Sequence, residues 1–211
     1  MENMKLNKSL LRAVWLIVVL FVFINTNAQN AQQARKILDK TVSIVSGKGG
    51  ASANFSISSS KIGKASGTIV IKGNKFYTRT PQATIWYDGK TQWSYLKRTN
   101  EVNVSIPNHS QQVSMNPYTF INLYRSGYQL SSKMIGNNYQ VHMIAQNKRN
   151  SINEVYILIY KRSYIPKQVK LKQGNQWTTI NISNFKNKNL PNSIFVFCKK
   201  DIPSAEVIDL R

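Results

Sequence analysis

From about residue 50 onward the apolar residues of this 211-residue chain return at every second position. Phe55 and Ile57 alternate with Asn54, Ser56 and Ser58, and Ile69 and Ile71 with Thr68 and Lys72. Val102, Val104 and Ile106 alternate with Asn103 and Ser105, Val141 and Met143 flank His142, and Ile180 and Ile182 flank Asn181. A period of two places successive side chains on opposite faces of a strand, so each segment has one apolar and one wet face. Turn signals separate the runs at Gly73-Asn74, Asp88-Gly89, Gly136-Asn137-Asn138 and Gly174-Asn175. The pattern predicts about ten or eleven antiparallel strands between Ala51 and Phe197.

Two helices are predicted beside them. Over Ala31 to Val45, the residues Ala34, Ile37, Leu38, Val42 and Val45 recur at spacings of three and four, and Gly47, Gly49 and Gly50 stop the run. Over Asn116 to Ser126, Asn116 caps, Pro117 takes the first position, and Phe120, Leu123 and Tyr124 share a face. A sheet of about ten strands tends to curl, with its apolar face inside. Two helices of about 10 Å diameter are too narrow to fill the mouth of such a sheet. The fold expected is α+β and mostly antiparallel β, an incomplete, half-open barrel whose apolar concave face is lidded by short helices. A closed lipocalin-like barrel satisfies the same alternation. Either way, an incompletely filled apolar cavity points to a carrier of apolar ligands.

Composition removes most catalytic alternatives. The chain has one cysteine, two histidines and 8 acids against 29 Lys+Arg, for a net charge of +21. Cys198 has no partner for a disulfide, and the Cys/His count excludes a zinc cluster, so neither metal nor cofactor is expected. His109 sits in a polar loop and His142 on the outer face of a strand, neither with an acid partner nearby in sequence. No enzyme is expected. Basic pairs such as Lys97-Arg98, Lys148-Arg149, Lys161-Arg162 and Lys199-Lys200 offer a rival reading, a polyanion-binding β-protein. No nucleic-acid-binding motif accompanies them, and a solvated face is their ordinary role.

The start of the chain reads as a secretory signal peptide. Lys5, Lys8 and Arg12 precede an apolar run from Ala13 to Ile24, and Thr26 and Ala28 supply small residues before Gln29. That run is short of the roughly 20 residues a membrane span needs. Cleavage after Ala28 is expected to leave residues 29–211 as one exported domain of 183 residues. It would carry 26 cations against 7 acids, or +19.

The segment from Gly67 to Pro107 carries a resemblance. It reads Gly67-Thr68-Ile69-Val70-Ile71-Lys72-Gly73-Asn74-Lys75-Phe76, then Asp88-Gly89-Lys90-Thr91-Gln92-Trp93-Ser94-Tyr95. A hydrophobic strand, a Lys-Phe turn and Asp-Gly-Lys-Thr-x-Trp-x-Tyr resemble the periplasmic outer-membrane lipoprotein carriers (LolA-like). The order of the other parts also fits: the N-terminal helix, Asn116-Pro117-Tyr118 at the mid-chain helix, a late strand pair from Ile165 to Phe185, and Phe195-Val196-Phe197 near the end. The resemblance implies a periplasmic carrier of acylated lipoproteins, loaded at an inner-membrane ABC-type release complex and unloaded at an outer-membrane acceptor. The acceptor of that system is itself a lipoprotein, and no cysteine lies near the cleavage site here. A carrier of another acylated lipid or glycolipid would read the same way. An anionic membrane surface is a further expected contact for the basic face. A monomer is expected, with no nucleic-acid partner.

The inward-facing positions expected to line the cavity are Phe55, Ile57, Ile69, Ile71, Phe76, Trp93, Tyr95, Val104, Val141, Met143, Ile157, Ile159, Ile180 and Ile182. Leu38, Phe120, Leu123 and Tyr124 are expected in the lid. On this reading Trp93→Glu abolishes lipid binding and leaves the protein folded. One departure stands out. Better-known members of the family carry an Arg-Pro before the turn, and that arginine bonds to the lid helices. Here Gly73 holds the place before Asn74, and Arg79 sits elsewhere on the strand.

Overall fold

The computed structural model describes residues 28–60, 63–108, 123–147 and 149–211. A helix, α1, covers residues 28–45. Its stripe Ala34, Ile37, Leu38, Val42 and Val45 is buried to the last residue, as the spacing predicts. Thr41 shares that buried face and satisfies its hydroxyl by donating to the Ile37 carbonyl at 3.0 Å.

Eleven strands follow between Ala51 and Asn187, and a twelfth near the end: β1 (Ala51–Ser59), β2 (Gly63–Lys72), β3 (Lys75–Arg79), β4 (Ala83–Tyr87), β5 (Gln92–Leu96), β6 (Glu101–Ser105), β7 (Tyr128–Ile135), β8 (Asn138–Ala145), β9 (Glu154–Tyr160), β10 (Pro166–Gln173), β11 (Gln176–Asn187) and β12 (Glu206–Asp209). They form one sheet in the order β12-β6-β5-β4-β3-β2-β1-β11-β10-β9-β8-β7. Every pairing is antiparallel except β12 on β6. The order begins and ends on different strands, so the sheet is open and not a closed barrel. The four turn signals fall between β2 and β3, β4 and β5, β7 and β8, and β10 and β11. The segment Asn116 to Ser126, expected to form the second helix, lies mostly outside the described residues. Within it, Leu123–Arg125 form a 3-10 turn.

The Asp-Gly-Lys-Thr motif is the turn from β4 to β5. The Asp88 carboxylate accepts from the Lys90 and Thr91 amides, both at 2.8 Å. Gly89 takes φ +103°, and a Cβ there would meet the Asn74 side chain at 2.7 Å. The motif thus stacks one hairpin turn on its neighbour.

α1 packs on the concave face of β1–β4 and β7–β11. The face turns polar further along the sheet. Register carries Phe76 to Tyr87, Tyr87 to Gln92 and Gln92 to Ser105, so β5 and β6 present Gln92, Ser94, Asn103 and Ser105 on the helix side. Trp93, Tyr95 and Val104 therefore point the other way, opposite to the inward placement expected of them. Trp93 pairs with Trp86 across β4 and with Val104 across β6.

On that outer face the C-terminal segment folds back over the sheet. Phe197 meets the Trp86 ring edge-on, centroids 5.3 Å apart, and Tyr77 packs on the same ring. Phe195, Val102 and Ala205 are buried, giving these strands a second core. This explains apolar residues on both parities at Trp86 and Tyr87. Phe195→Ala is expected to cost about 3–5 kcal/mol of stability. The check is a denaturant melt with a matched acyl-probe titration, in which the affinity stays at the wild-type value because Phe195 lies across the sheet from α1.

Candidate functional site

The concave slot is built by five elements. α1 contributes Val45, β1 and β2 contribute Ala51, Ala53, Phe55, Ile69 and Ile71, and β10 and β11 contribute Pro166, Val169, Ile180, Ile182 and Phe185. The lining is almost wholly apolar. Among the described residues, this slot holds about 50 Å³. Ligand sites for small molecules hold roughly 300–1,000 Å³. The structure is therefore a closed form, and a bound chain requires α1 to lift.

Two β-bulges shape this wall. Ser52 pairs with Lys186 but Asn54 with Ser183, so β11 carries an extra residue, and Asn184 there adopts φ 52°. The extra residue resets the parity, and both Ile182 and Phe185 face the slot although three positions separate them. A second shift lies between Pro166 and Gln168 and brings both Pro166 and Val169 inward. One glycine is also required. A Cβ at Gly67 would run into the Arg79 carbonyl and come within 3.1 Å of the Phe55 ring.

Of the positions expected in the cavity, Phe55, Ile69, Ile71, Ile180 and Ile182 line the slot. Ile57 is partly buried beside them. Phe76, Val141, Met143, Ile157 and Ile159 lie on the same face but are packed into the core. Trp93, Tyr95 and Val104 belong to the outer face. In the lid, Leu38 and Tyr124 are buried and Leu123 is partly buried, while Phe120 lies outside the described residues. The slot residues Ala53, Pro166, Val169 and Phe185 were not among those expected. Ala53 follows the simple alternation with Phe55 and Val169 that with Leu171, whereas Pro166 and Phe185 depend on the bulges.

Polar contacts hold α1 down. The Tyr124 hydroxyl donates a short hydrogen bond to the Asp39 carboxylate, and the Arg35 guanidinium lies 5.8 Å from the Tyr124 ring centroid. Burial first, and then the Asp39 hydrogen bond and charge, push the Tyr124 hydroxyl up to about 12. At the helix start, the Asn30 side-chain oxygen accepts from the Ser132 amide at 2.8 Å and its hydroxyl at 3.1 Å on β7. Lys40 Nζ sits 4.3 Å from the Tyr164 ring centroid. Arg79 takes no part, because it lies beside Tyr77 and Thr84 on the outer face.

His142 does acquire an acid partner. The pairing of β8 with β9 brings its Nε2 within 2.8 Å of Glu154, which also accepts from Tyr156 at 2.9 Å. This pair is on the outer face. Cys198 is exposed.

A carrier-type half-barrel with an apolar slot under α1 is the class these features define. The family described as outer membrane lipoprotein carrier protein LolA matches residues 24–175, and the chain belongs to that family. Membership places it among carriers of the lipid- and lipoprotein-binding kind. No curated protein matches it significantly. Among solved structures, an uncharacterized conserved protein from Thermus thermophilus is similar at TM-score 0.57 and 14% identity, covering 84% of this chain and 99% of that one. A putative outer membrane lipoprotein-sorting protein domain from Vibrio parahaemolyticus is similar at TM-score 0.47 and 12% identity, covering 79% and 97%. A LolA superfamily protein from Nitrosomonas europaea is similar at TM-score 0.44 and 12% identity, covering 78% and 97%.

Proposed function

We propose that this chain is an exported, periplasmic carrier that holds the acyl chains of lipoproteins in the slot under α1 and moves them from the inner to the outer membrane. The observation that carries this reading is the slot itself, an apolar wall covered by the amphipathic α1, which polar contacts fasten at its rim. An acyl chain of about 15 methylenes left in water costs on the order of 12 kcal/mol, at roughly 0.8 kcal/mol each. A carrier must offset most of that and still release its load.

Non-directional contact with Ile, Val, Phe and Ala side chains suits chains of different length. Release follows when α1 returns to the wall and refills the slot with Val42 and Val45. Loading from an ABC-type release complex and unloading at an outer-membrane acceptor are the steps this role requires. Native mass spectrometry of the protein taken from its own cell envelope tests the reading. A bound acylated protein is the expected result, and a preparation carrying only oligonucleotide reverses it.

The basic surface has a separate, testable part. With 26 Lys+Arg against 7 acids in residues 29–211, it is expected to steer the carrier to anionic membrane surfaces. The transfer rate between vesicles should then fall steeply with added salt while the affinity for an acyl probe stays constant. A transfer rate flat across salt removes the steering role.

A further inference from the structure

The outer face of β8–β11 carries a groove of about 500 Å³ that the carrier role does not use. Its lining is Gln140, Tyr156, Leu158, Gln168, Lys170, Trp177 and Thr179. Sheet register sets these residues in cross-strand rows. His142, Tyr156, Lys170 and Thr179 form one row, and Gln140, Leu158, Gln168 and Asn181 the next. Strand alternation explains why they lie together, since the partners of these residues one position away fill the concave core.

The groove combines three features. First, it has an aromatic end wall. His142 and Tyr156 stack with planes 3° apart and centroids at 4.2 Å, and Trp177 lies 5.9 Å from Tyr156. Trp177 is 39% exposed, which is unusual for so large an apolar ring on a polar sheet face. Second, its sides are neutral amides and a hydroxyl. Gln168 Nε2 donates to Asn181 at 2.7 Å, and this fixes the orientation of the amide. Amides and hydroxyls both donate and accept, which matches ligand hydroxyl groups. Third, its charge is positive. Lys170 lines it and Lys172 Nζ sits 5.8 Å from the Trp177 ring centroid. The adjacent acid, Glu154, is engaged by His142 and Tyr156.

We infer that this groove binds an acidic saccharide, with a sugar ring against Trp177 and Tyr156, hydroxyls on Gln140, Gln168 and Thr179, and the acidic group near Lys170 and Lys172. A sugar ring has an apolar C–H face and a hydroxyl rim, so it satisfies the ring and the amides together. A nucleic-acid strand would require a track of cations along its backbone. Neutral amides dominate this lining instead.

Calorimetric titration of the full chain with a short hexuronate oligomer tests the inference. A neutral malto-oligosaccharide and an oligothymidylate of matched charge serve as comparison ligands. Saturable binding of the hexuronate, stronger than either comparison, is expected. Trp177→Ala should weaken it about tenfold or more, and Trp177→Phe should retain most of it. Both variants should bind a fatty-acyl probe as the wild type does, which separates this site from the slot under α1. Equal hexuronate binding by Trp177→Ala would mean attraction to net charge alone and would overturn the site. So would a preference for oligothymidylate, equal binding of the neutral sugar, or no binding.

Discussion

Ile182→Glu lowers the affinity for a fluorescent fatty-acyl probe by at least about tenfold and leaves the protein folded. Ile182 lies on β11 at the edge of the slot, partly buried and in line with Phe55 on β1. A carboxylate there loses the apolar contact and must either shed water when a chain enters or hold the chain out. Because the position is not fully buried, the empty protein keeps the charge hydrated and its core intact. Trp93→Glu is the matched control. It introduces the same group on the opposite face, beside Trp86 and Val104. It should lower the melting temperature by loosening the C-terminal segment and leave probe affinity near the wild-type value. Probe titration paired with thermal melts monitored by circular dichroism distinguishes the two.

Replacing Tyr124 should open the lid. Tyr124→Phe removes the hydrogen bond to Asp39, a bond to a charged group worth about 1.5–3 kcal/mol. The closed form should lose roughly tenfold or more in population relative to the lifted one, so the affinity for an acyl probe should rise and its release should slow accordingly in stopped flow. Tyr124→Ala also removes a buried ring and should cost about 3–5 kcal/mol. The same contact has a signature in alkali. The folded hydroxyl sits at about 12, above the ordinary 10 of tyrosine, so its contribution is complete below pH 10 and disappears as pH rises through 12. The latest step in the phenolate absorbance of the wild type should therefore be missing in Tyr124→Phe.

The apolar wall was legible wherever strands alternate without interruption. Phe55, Ile69, Ile71 and Ile180 sit where a period of two puts them, and the α1 stripe is buried at every predicted position. Alternation tells which residues share a face, but not which face of the sheet is inside. At β4 both Trp86 and Tyr87 are apolar, and the parity of Trp93, Tyr95 and Val104 follows Trp86 to the outer side. Only the C-terminal segment lying over those strands makes an apolar outer face stable, and that contact is remote in sequence. Pro166 and Phe185 were hidden for a different reason. A bulge adds one residue to the strand and reverses parity beyond it, with no composition signal stronger than Asn184 in a left-handed conformation. The partnership of His142 with Glu154 likewise depends on how β8 pairs with β9.

The lid is the part in which this chain departs from its better-known relatives. With Gly73 before the turn and Arg79 on the outer face, the sheet offers α1 no arginine from β2 or β3. Asp39, Arg35 and Asn30 on the helix itself reach outward to Tyr124 and Ser132 instead. Arg35 and Asp39 are exposed at the rim, while the Tyr124 ring they meet is buried.

The central claim is that acyl chains lie between α1 and the concave face. Photolabelling with a lipopeptide carrying a diazirine on its acyl chain, followed by peptide mapping, tests it most directly. Label on Val45, Phe55, Ile69, Ile180 and Phe185 is the predicted result. Label confined to the outer face, on Trp86, Trp93 or Phe197, would contradict it.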